Sequence, residues 1–302
     1  MKHWKKGLLA LALSGSVYAA PIPVVSSFSI LGDVAKQVGG ERVAVQNLVG
    51  NDQDPHAYNV TSGDIKKISA AKLFLMNGLG LEKAELVRAA KQNKVAYAEA
   101  AAGINAMKMP EEAEEGHHHH HHEGDHHHGE YDPHVWTDPV LMQKYASNVA
   151  DALIKVDPAG KAYYQQHLAA YQGELKKLDA YAAQKFNEIP KAKRKVLTSH
   201  DAFSYMGKRY SIQFIAPQGV SEDAQPSAKQ VAGIIRQVKR EGIKAVFTEN
   251  INDPRMVERI SKETGVALGG KLYSDALSNG APANTYINMY RYNVDEISRA
   301  MK

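Results

Sequence analysis

The sequence predicts an α/β protein: two lobes, each a parallel β-sheet flanked by helices, joined by one long rigid connecting helix. Three observations carry this. Short apolar runs alternate with helical patterns in a βαβ rhythm between residues 22 and 100. The same rhythm restarts after residue 194. The stretch between them is helical and lacks the Gly, Ser and Pro content of a flexible linker. A length of 302 residues also suits two domains of about 100–200 residues each.

In chain order, "IPVVSSF" (22–28) reads as a strand and "ILGDVAKQVGG" as a helix closed by glycine. "VAVQNLV" (43–49) is a second strand, and "TSGDIKKISAA" a helix capped by Thr61 or Ser62. "KLFLMNG" (72–78) is a third strand, "EKAELVRAAKQ" a helix and "KVAYAEA" a fourth strand. Asp138–Pro139 starts one helix, and Asp157–Pro158 starts another that runs to about Ile189. A helix of that length would span about 45 Å, a whole domain, so it is expected to pack along both lobes. In the second half, "KVLTSHD" (195–201), "IQFIAPQG", "KAVFTEN" and "VALGGKLYSD" read as strands. "AFSYMGKRY", "SAKQVAGIIRQVKREG", "DPRMVERISKETG" and a final stretch near 285–301 read as helices, the third capped by Asp253.

The first twenty residues stand apart. "MKHWKK" is a cationic head, and "GLLALALSGSV" is an apolar run shorter than the ~20 residues of a membrane span. "VYAA" offers a small-residue cleavage site with Val17 and Ala19 at the −3 and −1 positions. This reads as a signal peptide cleaved near Ala19 or Ala20, and so as an exported protein, most simply periplasmic. The expected division is a signal peptide over 1–20, an N-terminal lobe over 21–156, the connecting helix over 157–190 and a C-terminal lobe over 191–302. The chain has no cysteine. A lipid anchor on a cysteine is therefore not expected, and any metal site must use His, Asp or Glu. Without Lys2, Lys5 and Lys6 the chain carries 34 basic against 33 acidic residues. That near-neutral balance gives no reason to invoke nucleic acid or an anionic membrane surface.

Fourteen histidines are present. Nine of them, His117, His118, His119, His120, His121, His122, His126, His127 and His128, crowd into the polar stretch 106–130. That stretch holds seven acidic residues from Glu111 to Glu130 and almost no large apolar side chain, so it reads as a mobile surface loop. Three others lie at the ends of predicted elements: His56 in "GNDQDPHAY", His134 in "DPHVWTDP" and His200 in "LTSHDAF". The strand "KLYSD" ends in Asp275 in the same way.

Ligands of open α/β sheets bind beyond the carboxyl ends of the strands, and clefts between lobes favour binding sites. Facing lobes would bring His56 and His134 from one half against His200 and Asp275 from the other. A metal site in the inter-lobe cleft is therefore expected. Three imidazoles and a carboxylate suit tetrahedral Zn²⁺, whereas Mg²⁺ and Ca²⁺ prefer all-oxygen sites and Mn²⁺ sites carry more carboxylate. A Glu in place of His200 would point towards manganese. Glu249, at the end of "KAVFTEN", is read either as a carboxylate backing a ligand imidazole or as a surface charge. Asp54 and Asp132 read as turn formers before Pro, Asp138 and Asp201 as helix caps, and His167 as an ordinary helix residue.

"DPHAY", "DPHVWTDP", "LTSHDAFSYMGKRY", "SEDAQPSAKQV" and "LYSDALS" together resemble the metal-binding proteins of bacterial ABC importers, specifically the zinc-uptake (ZnuA-like) type. The resemblance covers nearly all of the chain after its leader, in order. It implies two α/β lobes joined by one long helix with the metal between them, and a membrane permease as partner. Carried onto this sequence, the family's ligand positions fall on His56, His134 and His200, with Asp275 as the fourth. Some zinc members fill that fourth position with water or a neighbouring Glu; here Pro55 precedes His56. The manganese branch has Glu where His200 stands. Zinc members often carry an acidic, His-rich loop before the second ligand, and some have a disulfide that this chain lacks.

The expected function is capture of Zn²⁺ and its delivery to an ABC permease by a monomer without catalysis, release involving modest lobe shifts or loop movement. A component of a manganese or iron importer is the nearest alternative. A zinc storage or adhesin protein would want a surface anchor or many tight metal equivalents. A zinc hydrolase would want an open coordination position, and no "HExxH" occurs. The clustered histidines are expected to collect metal weakly.

Overall fold

The structure, a computed structural model, describes residues 20–109, 130–219 and 227–302. The leader up to Ala19, the nine clustered histidines and most of "SEDAQPS" lie outside the described residues. Among the described residues no helix is long and apolar enough to cross a membrane.

The N-terminal half runs β1 (Ile22–Phe28), α1 (Ser29–Gly39), β2 (Val43–Val49), α2 (Ser62–Ala70), β3 (Leu73–Met76), α3 (Ala84–Gln92) and β4 (Ala96–Glu99). Its four strands form one parallel sheet in the order β2-β1-β3-β4. The central strands β1 and β3 are buried on both faces over most of their length, while the edge strands β2 and β4 alternate with exposed positions. Val24, Leu73 and Leu75 face the central core, while their neighbours Val25, Phe74 and Met76 face a separate cluster beneath α2 and α3. Thr61 caps α2 with a reciprocal pair: its Oγ1 accepts from Asp64 N, and Asp64 accepts from Thr61 N.

Helices α4 (Leu141–Val156) and α5 (Lys161–Asn187) follow, the second entered through a tight turn at Pro158–Gly160. The C-terminal half runs β5 (Lys195–Leu197), α6 (Ser204–Tyr210), β6 (Gln213–Ile215), α7 (Ala228–Glu241), β7 (Ala245–Val246), α8 (Arg255–Thr264), β8 (Ala267–Leu268) and α9 (Tyr286–Met301). Its sheet is also parallel, in the order β6-β5-β7-β8.

Helix α5 has 27 residues, about 40 Å of helix. It packs on α1 and α4 of the first half and on α9 of the second. One hydrophobic cluster runs without a break through Val34, Tyr145, Leu175, Phe186, Tyr205 and Val294, so the lobes share a core. Opening the lobes as rigid bodies would expose that core, which the hydrophobic effect opposes at about 25 cal/mol per Å².

Three local expectations change. The strand read over 266–275 is only Ala267–Leu268, and pairing resumes at Leu272, which bridges Glu249. Gly269 and Gly270 explain the break: a Cβ would lie 2.4 Å from the Phe247 ring at one and 2.1 Å from the Glu296 carboxylate at the other. The backbone passes too close to its neighbours for a regular pleat. Asp201, read as a helix cap, accepts from the Ser204 hydroxyl at 2.7 Å instead of from a first-turn amide. The base of the His-rich stretch is also more ordered than a plain loop. Lys108 and Tyr131 pair antiparallel, with Met109 N donating to Glu130 O and Asp132 N to Met107 O.

Candidate metal centre

All four site residues sit outside the regular strands and α-helices, on connecting segments. His56 lies in the loop between β2 and α2, and its amide donates to Asp54 Oδ1 at 2.7 Å. His134 repeats that arrangement in the second "DPH", its amide donating to Asp132 Oδ1 at 2.9 Å. In both, Asp closes a turn on the amide two residues ahead, and proline holds the intervening backbone. His200 follows β5, where the chain bridges Gln218. Asp275 follows the re-paired segment beyond Gly270. The sequence placed it at a strand end, whereas it stands on a loop anchored by Leu272.

The lobes bring all four together. His56, His134, His200 and Asp275 each present one ligand atom, and these atoms all lie within 4.8 Å of one another. His56 Nε2 is 3.2 Å from His134 Nε2. Asp275 Oδ2 is 2.9 Å from His200 Nε2 and 3.4 Å from His56 Nε2, and Asp275 Oδ1 is 3.4 Å from His134 Nε2. A tetrahedral ion with ligand bonds of about 2.0–2.1 Å has edges of about 3.3–3.4 Å. Four of the six ligand-to-ligand distances, 2.9–3.4 Å, lie near those edges, and all six lie within 4.8 Å, the size of a site for one small ion. Buried Asp275 Oδ1 has no hydrogen-bond partner, a costly state that a cation would relieve.

The outer nitrogens are held as metal-binding imidazoles usually are. Asp132 Oδ1 sits 2.7 Å from His134 Nδ1, and Glu249 Oε2 sits 2.6 Å from His200 Nδ1. His134 Nδ1–H can donate to Asp132 Oδ1, and Glu249 Oε2 faces His200 Nδ1 as an ion-pair partner, so both rings leave Nε2 free to face an ion. Glu249 Oε1 also accepts from the amides of Ser199 and His200, at 2.8 and 3.2 Å, so one side chain fixes both backbone and ring. Glu249 is itself buried, with its Oε2 beside His200 Nδ1. Asp132 was read only as a turn former; it also holds the ring. The signal was the repeated Asp-Pro-His, but sequence cannot say which of two equal turns lets the carboxylate reach its histidine. Among the described residues no carboxylate backs His56 Nδ1.

His134, His200 and Asp275 are fully buried. Burial alone would pull His134 down, but Asp275 and Asp132 outweigh it and push its pKa up to about 9. His200 is likewise pulled down by burial and raised well above the ordinary range by Glu249 and Asp275. Burial would raise Asp275, yet the two imidazoles hold it well below the usual carboxylate range. In the metal-free site these charges favour protonated His134 and His200 beside an ionised Asp275.

Trp136 forms the floor. It is fully buried, its ring 5.1 Å from His134 and 5.0 Å from Phe28, and its Nε1–H donates to Ser274 O across the lobes. Tyr205 from α6 donates to Asp132 O at 2.6 Å. Asn77, after β3, donates to Pro133 O and accepts from Tyr145. Sequence patterns did not single out these three, because their partners lie 56 or more residues away. His167 stacks on Tyr163 at 4.2 Å, away from the site, in keeping with an ordinary helix residue. Asp138 accepts from Val140 N at 2.8 Å, just ahead of α4, close to the capping role read for it.

Replacing Glu249 with Gln should weaken metal binding by about 10–100-fold, because the ring of His200 loses its charged acceptor while the fold keeps an acceptor for the amides. Competition titration with a chelator of known affinity measures this. An unchanged affinity would show that Glu249 does not tune the ligand.

A two-lobed α/β protein that buries three imidazoles and a carboxylate between its lobes defines a metal-binding solute-binding protein. A family model described as the zinc-uptake complex component A, periplasmic (ZnuA), matches residues 24–300. The chain belongs to that family, whose members serve as the metal-binding components of ABC importers. The metal ABC transporter substrate-binding lipoprotein SsaB of Streptococcus sanguinis is 30% identical over 292 residues, covering 94% of this chain and 90% of the relative. The manganese ABC transporter substrate-binding lipoprotein PsaA of Streptococcus pneumoniae is 30% identical over 306 residues, covering 98% and 94%. Among solved structures, the periplasmic zinc-binding protein TroA from Treponema pallidum superposes with a TM-score of 0.81 at 28% identity, covering 93% of this chain and 99% of that one. The Mn-bound periplasmic metal-binding protein from Candidatus Liberibacter asiaticus gives 0.79 at 26% identity, covering 93% and 100%. The two-lobed fold with its long connecting helix, expected from the sequence, agrees with these structures.

Proposed function

We propose that the protein captures Zn²⁺ in the periplasm through His56, His134, His200 and Asp275 and delivers it to the permease of an ABC importer. One observation carries the metal choice: three imidazoles and a single carboxylate, a nitrogen-rich donor set, bring their ligand atoms within 4.8 Å of one another. Nitrogen-rich tetrahedral ligation suits zinc, while a carboxylate in place of His200 would suit manganese better. Four protein ligands leave no open position for a substrate, which argues for carriage without catalysis. Tight capture requires a Kd of about 1 nM or better, about 12 kcal/mol of binding energy. The proposed organisation is a signal peptide over 1–20, lobes over 21–156 and 191–302, and a connecting helix over 157–190, acting as a monomer.

Metal analysis of protein purified without chelator, followed by competitive Zn²⁺/Mn²⁺ titration, tests the reading. One tight zinc equivalent that manganese displaces poorly is expected. Preference for manganese would favour the second reading, which the manganese relatives and the Mn-bound structure support.

The nine clustered histidines are proposed as a weaker, accessory collector. Many imidazoles on an acidic segment can bind divalent ions in many geometries, each costing ordering entropy. Deleting residues 111–130 should remove the weak metal equivalents in isothermal titration and leave the tight one. Loss of the tight equivalent would contradict a two-site protein.

A further inference from the structure

The four site residues are unequally shielded. His134, His200 and Asp275 have no exposed side-chain surface, while His56 keeps 7%. The ion's shortest way in and out is therefore past His56. The opposite side is closed by buried bonds that could break only with the core: Trp136 Nε1 to Ser274 O at 2.7 Å, Tyr286 Oη to Trp136 O at 2.7 Å and Leu277 N to Ser29 Oγ at 3.0 Å.

The loop bearing His56 is tied across the cleft mainly at one residue. Asp52 donates its amide to Leu277 O at 2.8 Å. Its Oδ1 accepts from Asn250 Nδ2 at 2.9 Å, and its Oδ2 accepts from Asn279 N and Nδ2 at 3.4 and 3.3 Å. Asn51 adds one bond, Nδ2 to Ser278 O at 3.1 Å. Asp52 thus joins three segments that shape the site: its own, four residues before His56; that of Asn250, next to Glu249; and that of Asn279, four residues after Asp275. It holds φ = 55°, a left-handed conformation that Asp tolerates better than most residues. These side-chain bonds are exposed, so water can replace them one at a time.

We propose that Asp52 is the latch that holds the His56 loop closed across the lobes and sets how fast the captured ion leaves. This rests on the capture reading above. Asp52 touches none of the four ligands, so it acts as a positioning residue: it governs the exit without contributing to the coordination.

Asp52→Gly removes the carboxylate, keeps the backbone donor and suits φ = 55°. With excess chelator in stopped-flow, zinc should leave this variant about tenfold faster, with a smaller change in the association rate and a metal-free melting temperature close to wild type. Asp52→Asn keeps one carbonyl acceptor and should fall between the two. Asn250→Ala combined with Asn279→Ala removes the donors from the facing lobe and should reproduce the effect, so the test survives if Asp52→Gly folds poorly. Hydrogen exchange of the metal-free protein reads the latch without zinc: amides of 51–58 and 276–280 should exchange faster in Asp52→Gly. Unchanged exchange would overturn the latch. Faster exchange with an unchanged zinc off-rate would overturn its control of release. A wild-type protein binding neither zinc nor manganese tightly would sink the capture reading and with it the role in release, while exchange still decided whether Asp52 latches the loop.

Discussion

His200→Ala is expected to lower zinc affinity by at least a factor of about a hundred. Structural zinc sites provide roughly 10–16 kcal/mol in total, so one ligand of four carries about 3 kcal/mol or more. The loss should exceed that of a lone imidazole, because His200 also neutralises two buried carboxylates. Asp275 Oδ2 lies 2.9 Å from its Nε2 and Glu249 Oε2 lies 2.6 Å from its Nδ1. Without the ring, Glu249 and Asp275 face each other's field with less compensation, and the metal-free protein should also melt lower. His134→Ala should behave similarly through Asp132 and Asp275. Chelator competition on folded variants, checked by circular dichroism, measures the affinity. Retention of nanomolar binding by His200→Ala would show that the ion binds elsewhere.

Zinc binding at pH 7 should release about two protons, one each from His134 and His200. Asp275 and Asp132 hold His134 up to about 9 against the pull of burial, and Glu249 and Asp275 hold His200 well above the ordinary range. Both rings are therefore charged at neutral pH before metal arrives, while Asp275, held low by the same imidazoles, is already ionised. Affinity should accordingly climb by about two decades per pH unit around pH 7 and flatten only as pH passes about 9. Ordinary imidazoles would flatten above about 6.5. The sign for the metal-free fold is opposite. Its His134 pKa is raised above the unfolded value, so that contribution to stability is complete below about 6.5 and fades as pH rises through about 9. The metal-free protein should lose melting temperature over this range while the stabilisation by zinc grows. Calorimetry in buffers of different ionisation enthalpy counts the protons. A count near zero at pH 7 would mean that both rings are neutral in the metal-free site.

Much of this protein was legible in its sequence, for a reason visible in particular strands. The strand 22–28 is buried from Val24 to Phe28, and 43–49, at the sheet's edge, alternates with exposed positions from Val43 to Asn47, so both could be read to the residue. The helix start at Thr61 follows from local capping chemistry, and Pro158 opens the turn that leads into the long helix. Where the reading slipped, a distant neighbour decided. "VALGGKLYSD" looks like one strand until Phe247 and Glu296 press on Gly269 and Gly270. Asp132 and Asp54 look identical, and only the fold gives Asp132 the ring of His134.

The sequence by itself determined the repeating βαβ order, the rigid connection and the residues whose chemistry can hold an ion. Those depend on local spacing and residue type, which the chain carries in itself. Tertiary structure alone decided that four atoms from segments up to 219 residues apart meet within 4.8 Å, that Glu249 and Asp132 back the imidazoles, and that Asp52 ties the entrance. The reason is physical. A ligand field, a raised pKa and a latch are all properties of distances between lobes, and those distances exist only once the shared core has brought the lobes together.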